Sequence, residues 1–268
     1  MDVTELAKPF ELSPDAPRRW TLGPLTLWLR REQDEVLVAV IRADEDTGPA
    51  ETATDQPPPE TDPQGDALTW SRWIVAADPC LLRLSPRLPD RAVVARPNQE
   101  LVLPVGQTAE LRISIPVWVA LETTGPNSQL LGEFPTRVLS NTWFGTPTDG
   151  ELSYSLATRA RRPHTAGDLP PHRAQCPVTV HNVASDPLNI ERLSVHADEL
   201  TCYGSGQGLW TTAVDITFRG EDEVSRVELA DGPPATARDA HLLGDPRTDR
   251  DTGLLRRSFT NLKNFTGG

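Results

Sequence analysis

An all-β fold is what this sequence predicts: two immunoglobulin-like β-sandwich domains followed by a short C-terminal helix. Three observations carry it. Hydrophobic residues recur with period two along most of the chain, the mark of half-buried strands. Turn signals separate these segments at roughly ten-residue spacing, as sandwiches and barrels require. No long helical stretch lies between them, which disfavours a parallel α/β sheet. The 26 prolines and 18 glycines in 268 residues fit short strands joined by turns.

The elements follow in order. Leu25, Leu27 and Leu29 share one face of a strand, and polar "REQDE" turns the chain into Val36 to Ile41, giving a hairpin. The segment from Ala43 to Asp66 holds eight acidic residues and no basic one, is rich in proline and poor in apolar side chains, and reads as a disordered loop, 43–66. "ALTWSRWIVA", "CLLRLSP", "RAVVARP" and "ELVLPVG" read as strands. In "TAELRISIPVWVAL", Ala109, Leu111, Ile113 and Ile115 alternate with Glu110, Arg112 and Ser114, and Pro116 marks an edge or a bend. "ETTGPNSQ" has the turn chemistry of a domain boundary, so the expected division is 1–122, 123–235 and a tail, 236–268. The second block contributes "GEFPTRVLSNTWF", "GELSYSLATR", "CPVTVHNV", "LNIERLSV", "ELTCYG" and "LWTTAVDITFRG". Within it "HNVASDPLNIERLSV" reads as a hairpin around an Asp-Pro turn. In the tail, Leu255, Phe259, Leu262 and Phe265 fall at helical spacing with Arg256, Arg257 and Lys263 projecting elsewhere, which predicts a basic amphipathic helix.

"NTWFGTPTDGELSYSL" also reads as a hairpin, with strands Val138 to Phe144 and Glu151 to Leu156 joined by "GTPTDG". Its serines sit in neither a G-x-S-x-G elbow nor an S-x-x-K pair, so no activated nucleophile is expected. Together with "CPVTVHNVASDPLNIERLSVHADEL", this stretch resembles the prokaryotic, mainly archaeal family catalogued as domain of unknown function four-hundred-and-thirty-two. The resemblance covers most of the chain after the acidic segment and brings no catalytic residues. Such proteins are often encoded beside small mechanosensitive-type channels, so the resemblance implies a soluble accessory partner of a membrane channel.

Net charge is -12, with two lysines, Lys8 and Lys263, among 26 basic residues. That balance disfavours nucleic-acid binding, which needs a basic face to neutralise phosphates. Cys80, Cys176 and Cys202 show no C-x-x-C spacing and suit a reducing compartment. The N-terminus lacks the apolar core of a signal peptide, and the longest apolar run is too short to span a membrane, so a cytoplasmic protein is expected. Among five histidines, the best metal candidates are His172, with Cys176 and His181. On a regular strand, however, Cys176 and His181 point to opposite faces, so no metal site and no cofactor are expected. Glu221 and Glu223 lie in a polar turn that should stay wet, and "GSGQG" at 204–208 lacks the lysine of a phosphate loop. Seven tryptophans, Trp20, Trp28, Trp70, Trp73, Trp118, Trp143 and Trp210, read mainly as core. The outward member of the pair Trp70 and Trp73 is the better candidate for a binding surface.

The functional expectation is therefore a non-catalytic protein-interaction module. It would be an accessory subunit of a mechanosensitive-type channel, docking through Arg256, Arg257, Phe259, Leu262 and Phe265 of the C-terminal helix. The alternative is a carbohydrate or small-ligand binding module that uses exposed tryptophan.

Overall fold

The computed structural model describes residues 3–44, 48–54, 58–62, 66–97, 99, 101–156, 170–220, 224–248, 254–256 and 258–260. Among these the fold is all-β. Its helical elements are three short 3-10 segments, Val3–Ala7, Ala197–Glu199 and Ala235–Ala237.

Near the N-terminus, five antiparallel strands form one sheet. Arg18–Leu22, Leu25–Glu32 and Glu35–Arg42 make its centre, with Ala50–Thr54 and Trp70–Ile74 at its edges. Two-residue turns join the central strands, pairing Leu22 with Leu25 and Glu32 with Glu35. Gly23 adopts φ +57 in the first turn, and a Cβ there would collide with the His172 imidazole, so both backbone and space demand glycine. Leu22, Leu25, Leu27, Leu29, Val36 and Val38 turn inward and are buried.

A four-stranded antiparallel sheet comprises Phe10–Glu11, Leu81–Arg87, Trp118–Thr123 and Leu130–Pro135. The largest sheet centres on Arg173–Asn182. Thr108–Pro116 pairs along one edge of that strand over nine residues. Its other edge is shared by Gly208–Thr211 and Val214–Phe218, both running parallel to it. At Pro116 and Val117 the chain leaves this sheet for the four-stranded one, which is the bend that Pro116 signalled. A mixed five-stranded sheet joins Ser140–Gly145, Gly150–Ser155, Val93–Ala95, Arg192–Val195 and Phe259–Thr260.

One contiguous hydrophobic cluster runs from Leu6 to Phe259 through all of these sheets except for small satellites. The expected division at 122/123 does not separate the pairings. Trp118–Thr123 pairs with Leu130–Pro135, Thr108–Pro116 with Arg173–Asn182, and Val93–Ala95 with both Gly150–Ser155 and Arg192–Val195. Parallel pairs, including Tyr154 with Val93, depart from the antiparallel pairing of an immunoglobulin-like sandwich. "HNVASDPLNIERLSV" is not a hairpin either: Leu188–Ile190 pairs with Leu101–Leu103, and Arg192–Val195 lies in another sheet.

Two further expectations are corrected. Ala50–Thr54, inside the segment read as disordered, is a strand in register with Arg18–Leu22 over five residues. Alternating Ala50, Thr52 and Thr54 can line a sheet edge even where the local composition is acidic. Where the C-terminal helix was expected, the described residues are extended chain instead: Leu254–Arg256 pairs with Ser225–Leu229, and Phe259–Thr260 with Arg192–Val195. Two open sheet edges supply the backbone hydrogen bonds that a short isolated helix would have to hold alone, and helices of that length are marginal in water. Leu262 and Phe265, and Arg257, lie outside the described residues.

Candidate functional site

Strand alternation gives the four-stranded sheet two unlike faces. Leu82, Leu84, Val119 and Leu121 enter the core. Arg83, Ser85, Arg87, Trp118, Ala120, Glu122 and Glu133 project from the other face, in cross-strand register. There the charges interlock. Glu122, 8% exposed, accepts from Arg83 at 2.8 Å, Arg87 at 3.1 Å and the Ser85 hydroxyl at 3.3 Å. Arg87 approaches Glu133 at 3.7 Å, and Arg247 donates to Glu133 at 2.7 Å. Because Glu122 binds two guanidiniums while largely out of water, Glu122→Gln is expected to lower stability by about 1–3 kcal/mol. The partial exposure of both arginines keeps the loss below that of a fully buried pair. Urea denaturation would measure it, and a change within about 0.5 kcal/mol would show the network to be decorative.

At the Trp118 end of this face the surface folds into a cleft of about 290 Å³, lined by Arg91, Trp118, Pro135, Arg137, Asn141 and Tyr154. Its walls come from different parts of the chain. Trp118 and Pro135 are cross-strand neighbours. Arg137 follows the last strand of this sheet, while Asn141 and Tyr154 face each other across the Ser140–Gly145/Gly150–Ser155 hairpin. The hairpin expected from "NTWFGTPTDGELSYSL" forms, and its end away from the turn makes a cleft wall.

Stacked cations flank the two aromatic walls of the cleft. Arg247 lies over the Trp118 ring at 5.0 Å, anchored by the Leu88 carbonyl at 2.7 Å and by Glu133. Arg91 lies over the Tyr154 ring at 4.7 Å, and Tyr154 donates its hydroxyl to Asp90 at 2.9 Å. Burial, and then the hydrogen bond and charge of Asp90, push the Tyr154 pKa up, so the phenol stays a neutral donor near pH 7. Behind Pro135, Arg42 donates to its carbonyl at 2.7 Å; burial lowers the Arg42 pKa, though its guanidinium remains charged. Arg83, Arg87, Arg91, Arg137 and Arg247 outnumber Glu122, Glu133 and Asp90 by two on a chain whose net charge is -12.

The residues singled out in the sequence fall elsewhere. Phe259 is buried, its ring meeting Phe218 edge-on at 5.7 Å, so it is not presented to a partner. Arg256 lies in the Leu254–Arg256 strand. Cys176 faces the core with Val178 and Val180, His181 sits on the opposite face against Thr108 and Asp215, and His172 is buried beneath Gly23. These three do not converge. Glu221 and Glu223 lie outside the described residues, and "GSGQG" is the turn between Cys202–Ser205 and Gly208–Thr211. Neither Trp70 nor Trp73 is fully outward: Arg30 covers the first at 4.5 Å and Phe134 meets the second at 6.4 Å. Trp143, 46% exposed, ties its indole N–H to the Thr146 carbonyl at 2.7 Å.

Two groupings escaped the sequence reading. The cleft had no local signal, since Trp118, Arg137, Asn141 and Tyr154 meet only through strand pairing. The other did have one: "HADE" places His196, Asp198 and Glu199 in four residues, and the turn Ala197–Glu199 brings a ligand atom of each within 4.8 Å of the others.

Fold and cleft define a class: an all-β protein with an arginine- and aromatic-lined cleft on the outer face of a sheet. The chain belongs to the family described as "Protein of unknown function (DUF432)", whose model matches residues 8–263. No curated protein matches the chain, and no solved structure does. Among the described residues no helix is long and apolar enough to cross a membrane.

Proposed function

We propose that this protein is a binding module for a small organic anion, held in the cleft between Trp118 and Tyr154. The observation that carries the reading is the convergence of Arg91, Arg137, Asn141 and the Trp118 ring on one cavity of about 290 Å³. That volume lies near the lower end of ligand sites, about 300 Å³, and suits a molecule the size of a sugar phosphate or an aryl carboxylate. Guanidiniums recognise carboxylate or phosphate oxygens through paired N–H donors, and the indole and proline faces take the apolar side of the ligand. Binding is the whole of the activity proposed.

Titration of the protein with glucose 6-phosphate, benzoate and glucose, followed by tryptophan emission and amide NMR, tests this. Either anion should perturb Trp118 and residues 137–141, while glucose should not. Arg137→Ala should weaken anion binding about tenfold or more, the worth of one charge-assisted hydrogen bond. If neither anion moves any cleft resonance at millimolar concentration, or if glucose binds as well as its phosphate, the reading fails.

A further inference from the structure

We propose, on the basis of the anion-binding reading above, that the ligand of the cleft is amphipathic: a free carboxylate or phosphate whose apolar tail lies on a shelf formed by Trp143 and Leu152. Strand register puts shelf and cleft on one surface. In the hairpin of Ser140–Gly145 and Gly150–Ser155, Asn141 pairs with Tyr154 and Trp143 pairs with Leu152. Residues two apart on a strand project to the same side, so both pairs share the outer face. The intervening Phe144 and Ser153 turn inward and are buried. Asn141 and Tyr154 line the cleft, so the shelf begins about 7 Å from that wall, two residues of strand rise. Val138, on the cleft rim, adds a further exposed apolar side chain.

Trp143 is 46% exposed and Leu152 50%, yet the indole is fixed in place. Its N–H donates to the Thr146 carbonyl at 2.7 Å, and its edge rests against Gly150, where an added Cβ would lie 2.6 Å from Nε1. A ring held in this way keeps apolar surface in water until a ligand's apolar body covers it, and it has little freedom left to lose on binding.

Charge sets the ligand's direction. Arg91 and Arg137 stand at the cleft, whereas the shelf pair carries no charge. An anionic head is drawn into the cleft, and its tail then runs along the strands toward the Gly145–Gly150 turn. A neutral apolar molecule lacks the first contact and a small anion lacks the second. A shelf of two side chains matches one ring or alkyl chain, and falls far short of the roughly 800 Å² that each partner buries in a stable protein interface.

Isothermal titration of the full chain with benzoate, para-butylbenzoate and para-butylbenzamide, followed in parallel by amide NMR, tests the shelf. Para-butylbenzoate should bind about tenfold or more tighter than benzoate, since each carbon half-buried on an open surface is worth about twofold. Its resonance shifts should extend beyond residues 137–141 to Trp143 and Leu152, which benzoate leaves in place. Trp143→Ala should cut the ratio of the two affinities to about threefold or less. Leu152→Ser, at a half-exposed position where substitution spares the core, should lower the same ratio. If benzoate binds and the butyl group adds nothing, or if the ratio survives both substitutions, the shelf is overturned while the anion site stands. Binding of the neutral amide as tight as that of the carboxylate would also overturn it, by making the patch a general apolar surface. No shift from either carboxylate would remove the anion site and the shelf together.

Discussion

Phe259→Ala is expected to lower the unfolding free energy by about 3 kcal/mol, toward the lower end of what losing a buried phenyl ring costs. The ring is 9% exposed and packs edge-on against Phe218, itself 5% exposed, at 5.7 Å and 88°. Its backbone pairs with Leu193, so the substitution empties a core position and loosens the edge strand of the mixed sheet together. Urea unfolding would show the midpoint moving with little change in slope, and Phe259→Leu should recover more than half of the loss. A midpoint within error of the wild type would mean that the strand Phe259–Thr260 is not seated as described. The same seating changes how truncation must be read: removing residues 252–268 deletes two paired strands, so lost partner binding after that cut would report unfolding as readily as a lost contact.

The tail shows why part of this fold was legible and part was not. Period-two alternation is a property of one strand, so Ala109 to Ile115 and the hairpin from Ser140 to Ser155 could be placed from sequence, with ends within a residue or two. Pairing across distance leaves no such trace. Nothing local indicates that Arg173–Asn182 takes three partners, two of them parallel, or that Val93–Ala95 lies between Gly150–Ser155 and Arg192–Val195. In the tail, Leu255 and Phe259 sit four residues apart, a spacing compatible with one helix face and equally with two short strands laid on different sheets; open edges decide it. The candidate sites divide in the same way. The cleft is built by long-range register and leaves no local trace, whereas "HADE" sets an imidazole and two carboxylates within four residues; in the histidine–cysteine set, by contrast, the strand Arg173–Asn182 turns Cys176 and His181 to opposite faces.

Raising the pH from 9 to 12 is expected to remove most of the remaining stability, through two thiols. Cys176 and Cys202 are both fully buried, and burial pushes each pKa up to about 12 from an ordinary value near 9. Below pH 9 both thiols are protonated in the folded and unfolded chain, and their contribution is fully present. Between 9 and 12 the unfolded chain releases protons that the folded chain still holds, so stability falls by about 1.4 kcal/mol per pH unit for each thiol. Over that window each accounts for about 4 kcal/mol as an upper bound, against a total of about 5–15 kcal/mol for a typical domain. Cys80 shifts in the same direction, chiefly through burial and against the opposing charge of Arg31. Urea midpoints measured at pH 7, 9, 10 and 11 should decline steeply above 9 for the wild type. The double variant Cys176→Ala, Cys202→Ala should start lower, because two core side chains are truncated, yet decline much less steeply. Tyrosines and arginines titrate alike in both proteins, so the difference in slope isolates the thiols. Equal slopes would show that these cysteines meet solvent in the folded state, and the sheet interior around Arg173–Asn182 would then be open rather than packed.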